Sequence, residues 1–369
     1  MGIITKNEPI EKLQSEWPLL LSKSSNNNLF LSWEWIHSWY KNMLNRSMRP
    51  FIITAREKGK LVGLAPLVIV KLNDEKFHVQ FLGQQYSYHL GFISQLGLEK
   101  IVYRALWDYL ISYKEVDIQT FDFLHFGEDE CFESVLASLQ KSHKLVFARR
   151  HQNPCRIIYL RGSFDDYYQN QIASKKLIRN IRQENNRMLK SHCISFFDAD
   201  HNNYSYYWNE MINFHRELMD NRNVHSAIKR DDFTRHLNQI ASDYILKDQL
   251  RLNIMTLDSE PAVIMLSIMY NDIYNALTIG VNFQLKQTFP WFNFTYHSVI
   301  HNISKAIREG CVVFDTLGGH NEYKYKLGAI DQGGVRYIIR PVENLNGNNG
   351  KWQKIQDFFT KIIFGVFQK

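Results

Sequence analysis

Cysteine is scarce in this chain of 369 residues and is not arranged for metal binding. The four cysteines are scattered, and none of them shows the CxxC spacing of a zinc site. They are Cys131, Cys155, Cys193 and Cys311. A structural zinc site or a disulfide framework is therefore not expected, and the sequence predicts no metal.

Long apolar runs are missing as well. The longest one, Ala262–Tyr270, is too short to span a bilayer. The first residues lack the basic start and the apolar core of a signal peptide. We expect a soluble, cytoplasmic protein without an integral membrane segment.

The composition is that of a folded protein with a basic surface. Hydrophobic residues make up 45% of the chain and aromatic residues 14%, which is enough for a sizeable core. The formal net charge is +7 and the pI is about 9.0. This charge favours anionic partners such as nucleotides, the phosphates of coenzyme A, nucleic acid or a membrane surface, but it identifies none of them.

An approximate repeat organises the chain. Each half has the order helix, two strands around a turn, helix and strand. In the first half these are Phe30–Met43, Phe51–Arg56, Leu61–Val70, Glu99–Tyr113 and the strand that contains Phe121 and Asp122. In the second half they are Tyr204–Asn221, Leu250–Leu257, Ala262–Tyr270, Asn293–Glu309 and Val312–Leu317. The repeat predicts an α/β protein with two domains of one type, although a chance order of common elements is the alternative.

Two changes in composition suggest the domain boundaries. Pro154 lies in a basic turn, and a stretch rich in Asn and Gly follows Pro341. We expect an N-terminal domain over residues 1–150 and a C-terminal domain with the active site over residues 151–340. Residues 341–369 are expected to form a linker and an amphipathic helix.

The segment Cys311–Gly328 is the most informative motif. A short apolar run ends at Asp315, two glycines follow, and a polar cluster contains His320, Tyr323 and Lys324. In α/β sheets, ligands often bind where strands end, and Gly319 would let the backbone approach a substrate closely. An ordinary junction of strand, turn and helix, with Asp315 as a turn residue, is the alternative.

A basic helix is predicted over Ser174–Lys190. Its Lys175, Arg179 and Arg182 are spaced to form one stripe, which could receive the phosphates of a donor, an anionic polymer or RNA. A solvated helix face is the commoner explanation of such a stripe. His215 and Arg216 lie on the next helix and are candidates for substrate binding in a cleft that they would share with the basic stripe.

The order of these motifs resembles a known family, the acetyltransferases grouped with the cellulose-biosynthesis protein CelD within the GNAT superfamily. These are related in fold to the FemAB-type aminoacyltransferases. The resemblance runs from about Leu29 to about Ala329 and is most specific in the signature G-x-x-x-F-D-x-x-x-G-x-x-x-Y-K. Six positions agree with that signature: Gly310, Phe314, Asp315, Gly319, Tyr323 and Lys324.

The resemblance implies two tandem GNAT-like domains with a cleft between them. It also implies direct acyl transfer from acetyl-CoA or another acyl-CoA to an amine or hydroxyl acceptor, such as a cell-envelope saccharide or peptide. The chain departs from the family at Pro290 and Trp291, where a Pro-Gly pair usually precedes the helix that cradles the donor's pyrophosphate. We expect these two residues to lie in the donor site.

Acyl transfer needs a base that takes a proton from the acceptor, hydrogen-bond donors for the carbonyl oxygen, and an acid that protonates the leaving group. Asp315 or His320 could act as the base, Tyr323 as the acid, and Lys324 could neutralise developing charge. Two alternatives remain open: a transferase that uses aminoacyl-tRNA as its donor, with tRNA as a partner, and a catalytically inactive GNAT fold that acts as a binding module.

Overall fold

The computed structural model describes residues 2–73, 76–319 and 322–342. The α-helices are α1 (Trp17–Leu21), α2 (Trp33–Met43), α3 (Glu99–Ser112), α4 (Glu130–Lys141), α5 (Phe164–Asn170), α6 (Lys175–Met188), α7 (Tyr204–Asn221), α8 (Asp231–Ile245), α9 (Phe283–Thr288), α10 (Phe294–Arg308) and α11 (Glu322–Lys326). Short 3-10 helices cover Ile10–Leu13, Leu29–Leu31 and Ala227–Lys229.

The strands are β1 (Ile3–Asn7), β2 (Met48–Glu57), β3 (Lys60–Lys71), β4 (Phe77–Phe81), β5 (Ile93–Ser94), β6 (Ile118–Phe126), β7 (Leu145–Tyr159), β8 (Ile194–Asp198), β9 (Leu250–Leu257), β10 (Glu260–Tyr270), β11 (Ile273–Val281), β12 (Val313–Asp315) and β13 (Ile330–Pro341). No helix within the described ranges has the length and apolar character that crossing a membrane requires.

The chain divides into two compact units. Unit 1 holds the chain up to Tyr40, Leu44–Gln152 and the segment from Gly333 onward. Unit 2 holds Asn153–Gln332 together with three residues of α2. The residues after Gly333 belong to unit 1 because β13 pairs with β6 there.

The sheet of unit 1 has the order β1-β2-β3-β4-β6-β13, and β5 pairs with β3. All neighbours on the path are antiparallel except β4 and β6, which are parallel. One face is covered by an aromatic core in which Trp107 and Phe92 pack against Phe123 and Phe132. The tryptophans of the predicted helix Phe30–Met43 also pack in the core, because Trp33, Trp35 and Trp39 are all buried.

The sheet of unit 2 repeats this arrangement. Its order is β8-β9-β10-β11-β12 followed by the end of β7, and only β11 and β12 are parallel. In both units a helix leads directly into the inner parallel strand: α3 precedes β6 and α10 precedes β12. The two units thus share strand order and strand direction, as the sequence repeat predicts.

The close approach of α7 to β11 positions residues of the candidate functional site described below. Gly280 makes this approach feasible because a Cβ at that position would lie 2.5 Å from the Met211 carbonyl oxygen and 3.0 Å from Phe214 Cβ. Real Cβ atoms do not approach backbone oxygens so closely. A residue with a side chain at position 280 would therefore push α7 away from the sheet.

Replacing Gly280 by alanine is expected to destabilise the protein by about 1–3 kcal/mol, since overpacking forces a shift of the helix backbone. Urea denaturation of the full chain measures the effect. Gly127→Ala is the matched control because no atom lies within 4 Å of its added Cβ. Equal unfolding midpoints for the two variants would contradict the tight contact at Gly280.

Candidate functional site

Unit 2 contains a cavity of about 790 Å³. Four predicted site residues line it: His215, Pro290, Trp291 and Tyr323. They come from α7, from the segment between α9 and α10, and from α11. The fold thus brings together residues that are more than 100 positions apart in sequence. The other predicted residues that the structure describes do not line this cavity.

His215 is held by hydrogen bonds at both ring nitrogens. Nδ1 lies 2.8 Å from the carbonyl oxygen of Ile279 in β11, and Nε2 lies 2.8 Å from Ser226 Oγ. A carbonyl oxygen can only accept, so Nδ1 carries the proton and donates. In the neutral ring Nε2 is then an acceptor, and the Ser226 hydroxyl donates to it.

Burial lowers the pKa of His215, and the positive charges of Arg222 and Lys229 act in the same direction. The hydrogen bond to Ile279 opposes this shift but does not reverse it. The imidazole is therefore neutral at pH 7 and has a lone pair on Nε2, which makes it a base rather than an acid at neutral pH.

The chain turns back after α7 and thereby places Ser226 beside His215. Asn223 adopts a left-handed conformation with φ of 52°, and Val224 N donates to the Met219 carbonyl at 3.0 Å. Asparagine tolerates this conformation better than most residues because its short polar side chain can bond locally. Ser226 then caps the start of the 3-10 helix Ala227–Lys229, and its Oγ accepts from Ile228 N at 3.3 Å.

Two tyrosines form one wall of the cavity. The rings of Tyr296 and Tyr323 meet edge to face, with their centroids 6.3 Å apart. Burial raises the pKa of Tyr323 to about 12, so its hydroxyl keeps its proton at neutral pH. Within the described ranges this hydroxyl has no hydrogen-bond partner, which leaves it able to donate to a ligand.

Two cations face the cavity without a carboxylate partner in the described part of the chain. Lys286 lies on α9 and Arg222 follows the end of α7. Burial lowers the pKa of Lys286, and repulsion by Arg222 lowers it further. Because the two charges repel each other, an anion bound between them would be stabilised.

Most backbone N–H groups at the start of α10 already donate hydrogen bonds to side chains or to the backbone. Asn293 N donates to Glu184 Oε2 at 2.9 Å, Phe294 N to the Phe292 carbonyl at 3.2 Å, and Tyr296 N to Asn293 Oδ1 at 3.2 Å. The first N–H groups of a helix have no carbonyl partner within the helix. At the start of α10 only the N–H of Thr295 has no other partner among the described residues. The same carboxylate of Glu184 lies 3.2 Å from His297 Nε2.

The pyrophosphate of coenzyme A, which the family resemblance places here, does not fit this helix start. A single open N–H is less than a phosphate cradle needs, and the Glu184 carboxylate adds negative charge at the position that an anion would take. Trp291 is also engaged, because the Arg187 guanidinium lies 3.9 Å from the centroid of its ring.

The signature turn is held by two buried cations. Lys324 is only 4% exposed, and its Nζ donates to the carbonyls of Thr316, Leu317 and Gly318. Arg156 Nη1 donates to the Gly319 carbonyl at 2.9 Å. Burial lowers the pKa of Lys324 to about 8. These contacts give Lys324 and Gly319 a role in holding the turn.

Asp315 lies at the end of β12 and is also buried. Its Oδ1 accepts from Leu317 N at 2.7 Å, which is the strand-end hydrogen bond considered above as the alternative to a role as base. His320, the other predicted base, falls outside the described residues.

The remaining predicted residues lie elsewhere on unit 2. Lys175 and Arg179 are exposed on α6, and Arg182 lies 5.4 Å from the centroid of the Tyr168 ring. Arg216 donates to the Ile228 carbonyl and to Asp231 and lines a separate cavity of about 350 Å³. The basic stripe therefore does not reach the larger cavity.

The cavity is also lined by Glu184, Arg222, Ser226 and Lys286, which were not among the sequence candidates. Ser226 follows His215 by eleven positions in the chain, so a search for hydroxyls near this predicted substrate-binding residue could have found it. Glu184 accepts a hydrogen bond from Asn293 N, which lies 109 positions away in the chain, so no local sequence pattern predicts this contact.

Comparison with known proteins agrees with the two-unit architecture. The model of the family described as "Acetyltransferase (GNAT) domain" matches residues 175–325, all within unit 2. No curated protein matches the chain. Residues 175–325 of unit 2 are therefore similar to a GNAT acetyltransferase domain, whereas the narrower grouping with CelD stays a prediction.

Three solved structures resemble the whole chain. FemX has a TM-score of 0.61 at 11% identity, with 90% of this chain and 96% of that chain covered. A conserved protein of unknown function from Bacteroides thetaiotaomicron has a TM-score of 0.53 at 10% identity, with 92% and 100% covered. L-PGS from Bacillus licheniformis has a TM-score of 0.50 at 8% identity, with 96% and 97% covered. The predicted α/β fold with two GNAT-like domains is confirmed.

The variant Lys324→Met is expected to lower the free energy of unfolding by about 3 kcal/mol, because three carbonyls of the turn lose their donor. Lys326→Met is the matched control: Lys326 pairs with Glu322 at the surface, and its loss should cost less than about 1 kcal/mol. Urea denaturation measures both. Unchanged stability of Lys324→Met would show that the turn does not need this amine.

The neutral state of His215 predicts a pH dependence of stability. As the pH falls below about 6.5, the unfolded chain binds a proton at this histidine before the folded chain does, so this contribution to stability is lost toward acid. The variant His215→Asn lacks that loss. Thermal unfolding at about pH 7 and pH 5 should show a larger drop for the native chain, and an equal drop would mean that His215 is not held neutral.

Proposed function

We propose that this protein is an acyltransferase that moves an acetyl or other acyl group from a carrier to an amine or hydroxyl acceptor in the cavity of unit 2. One observation carries the proposal. A single cavity within the segment that matches the acetyltransferase model combines a neutral imidazole, a protonated phenol and two cations that have no carboxylate partner among the described residues. Acyl transfer needs a proton acceptor, a proton donor and stabilisation of negative charge, and these groups can supply all three.

Each group takes a role that its protonation state allows. His215, through Ser226, accepts the proton that the acceptor loses on attack. Tyr323 donates a proton to the leaving group of the carrier, since its pKa of about 12 keeps the hydroxyl protonated. Arg222 and Lys286 bind an anionic part of the carrier. Holding both substrates in one cavity supplies much of the rate.

The donor class we propose is an acyl-CoA. Because the start of α10 offers no open cradle, the phosphates of this donor are assigned to Arg222 and Lys286. Lys324 and Asp315 support the site by fixing the signature turn, from which Tyr323 projects. The acceptor is an amine or hydroxyl compound, such as a cell-envelope saccharide or peptide.

A second candidate is a transferase whose donor is aminoacyl-tRNA. The observation that favours it is the occupied start of α10, which an acyl-CoA donor would be expected to use. The exposed Lys175 and Arg179 on α6 would then contact phosphates of the RNA. Resemblance to FemX shows the fold and does not choose between the donors.

The deciding experiment is calorimetric titration of the full chain with acetyl-CoA. We expect binding that weakens at least about tenfold in Arg222→Met and in Lys286→Met, because each variant removes one charge that faces the bound anion. Lys60→Met is the control, since it removes one positive charge from an exposed position in unit 1. Equal affinity in all variants would contradict the assigned phosphate contacts.

No binding of acetyl-CoA would overturn the acyl-CoA proposal and favour the second candidate. That candidate predicts tRNA binding that weakens steeply between about 50 and 200 mM salt, because neutralised phosphates release counterions. Lys175→Met and Arg179→Met should then weaken tRNA binding, whereas Lys60→Met should not.

A further inference from the structure

Apolar side chains line a large part of the cavity of about 790 Å³. Four of them are 2–4% exposed and belong to one hydrophobic cluster of unit 2: Leu218, Val281, Phe292 and Phe294. Met219 and Ile279 also line the cavity and pack against this cluster. These six residues are called the apolar wall.

The apolar wall begins directly beside the proposed base. Leu218 and Met219 follow His215 on α7 by three and four positions, so the three side chains share one face of the helix. Ile279 and Val281 lie two positions apart on β11 and therefore point to the same face of the sheet. The carbonyl of Ile279 is the one that accepts from His215 Nδ1. Both elements that hold the base thus present apolar side chains next to it.

The opposite part of the apolar wall comes from the segment that leads into α10. The rings of Phe292 and Phe294 meet edge to face, with their centroids 4.8 Å apart. Both phenylalanines belong to the same buried cluster as Leu218 and Val281. One apolar surface therefore connects the surroundings of the base with the start of α10.

Three groups meet at the carbon that an acyltransferase attacks: the carrier arm, the acceptor and the acyl chain. The arm of coenzyme A contains amides, and the acceptor contains an amine or a hydroxyl. Burying such groups against apolar side chains without hydrogen bonds is unfavourable. An alkyl chain has no polar atoms, and its burial is favourable. Of the three groups, the acyl chain is therefore the one that the apolar wall fits.

The size of the cavity favours a chain longer than acetyl, which offers a single methyl group to the apolar wall. An apolar cavity of about 150 Å³ already holds a benzene-sized group. The cavity here is about 790 Å³, so such a group leaves room for the reacting parts of the carrier and the acceptor. A chain of about six to eight carbons is only slightly larger than a benzene-sized group.

We propose that the acyl group transferred by this protein is an alkyl chain of about six to eight carbons, which the apolar wall binds. The inference rests on the proposed acyl transfer and names its acyl class. The apolar wall takes no part in the bonds that change. The bond from the carbonyl carbon to sulfur is replaced by one to the acceptor, His215 takes the acceptor's proton through Ser226, and Tyr323 protonates the leaving thiolate.

The dependence of donor binding on chain length tests the inference. Acetyl-CoA, butanoyl-CoA, hexanoyl-CoA and octanoyl-CoA are titrated calorimetrically into the full chain without an acceptor. We expect the dissociation constant to fall about 15-fold for each two added carbons until the cavity is full, because each buried methylene group strengthens binding about fourfold. Equal dissociation constants for acetyl-CoA and octanoyl-CoA would overturn the inference.

The variant Met219→Trp tests whether the chain binds at the apolar wall. Met219 is half-buried, so a larger side chain can extend into the cavity without overpacking the core. Octanoyl-CoA should bind at least about tenfold more weakly, whereas the affinity for acetyl-CoA should stay within about twofold, because only the longer chain loses apolar contacts. An unchanged preference for octanoyl-CoA would contradict binding at this wall.

Met269→Trp is the matched control for this variant. Met269 is a half-buried methionine on β10 that packs against a different hydrophobic cluster of unit 2 and does not line the cavity. Both affinities should equal those of the native chain. Thermal unfolding shows that each variant is folded, and the chain-length series on the native chain decides the question even where a variant is not.

A thioester without phosphates separates this inference from the proposed donor. S-octanoyl-N-acetylcysteamine has the chain and the thioester but no phosphate. It should raise the temperature of thermal unfolding more than S-acetyl-N-acetylcysteamine at the same concentration, because a ligand that binds the folded state more tightly stabilises it more. Equal shifts for the two compounds would count against the apolar wall as a chain site.

The two proposals therefore fail in different ways. A preference for the octanoyl thioester in a protein that binds no acyl-CoA would reject the donor class and keep the acyl chain. Binding of acyl-CoA without any preference for chain length would reject the acyl chain and keep the donor class.

Discussion

The contact between α7 and β11 is the constraint on which the rest of the site depends. Gly280 has no side chain, so the helix lies against the strand with its Met211 carbonyl almost in contact with the glycine. That distance lets His215 reach the Ile279 carbonyl, and the bond to this carbonyl decides which ring nitrogen is the base. The absence of a side chain at Gly280 on β11 thereby determines which ring nitrogen of His215 on α7 carries the proton.

The signature turn shows how a family motif can combine support and chemistry. Its lysine is buried among three carbonyls, and Arg156 binds a fourth, so two cations hold a backbone segment that would otherwise leave polar groups unpaired. Tyr323 precedes this lysine and is the member of the motif that reaches the cavity. Agreement with the motif could not distinguish these roles, because both adjacent residues fit the pattern equally well.

The sequence predicts the elements of this fold better than their contacts. The bounds of α7 and β9 follow from hydrophobic patterns and agree with the structure, and the repeated order of helix and strand anticipates two similar units. The repeat did not include β11, although that strand carries Ile279 and Gly280. Its contribution depends on what packs against it, and a pattern along one strand contains no information about a helix that lies more than 50 positions away.

The charge at the start of α10 also depends on a contact that the local sequence does not predict. A helix N-terminus attracts an anion, and family resemblance alone assigns that place to a phosphate. Here Glu184 supplies the anion from within the chain and also faces His297. A phosphate would have to displace this carboxylate and leave it without its N–H donor. Arg222 and Lys286, in contrast, line the cavity with no carboxylate partner among the described residues, and repulsion by Arg222 lowers the pKa of Lys286. An anion bound between these two cations would relieve the repulsion between them. An anion bound at the helix start would be repelled by the Glu184 carboxylate. The electrostatics of unit 2 therefore favour an anion bound at α9 and the end of α7, in the same cavity as Ser226 and His215.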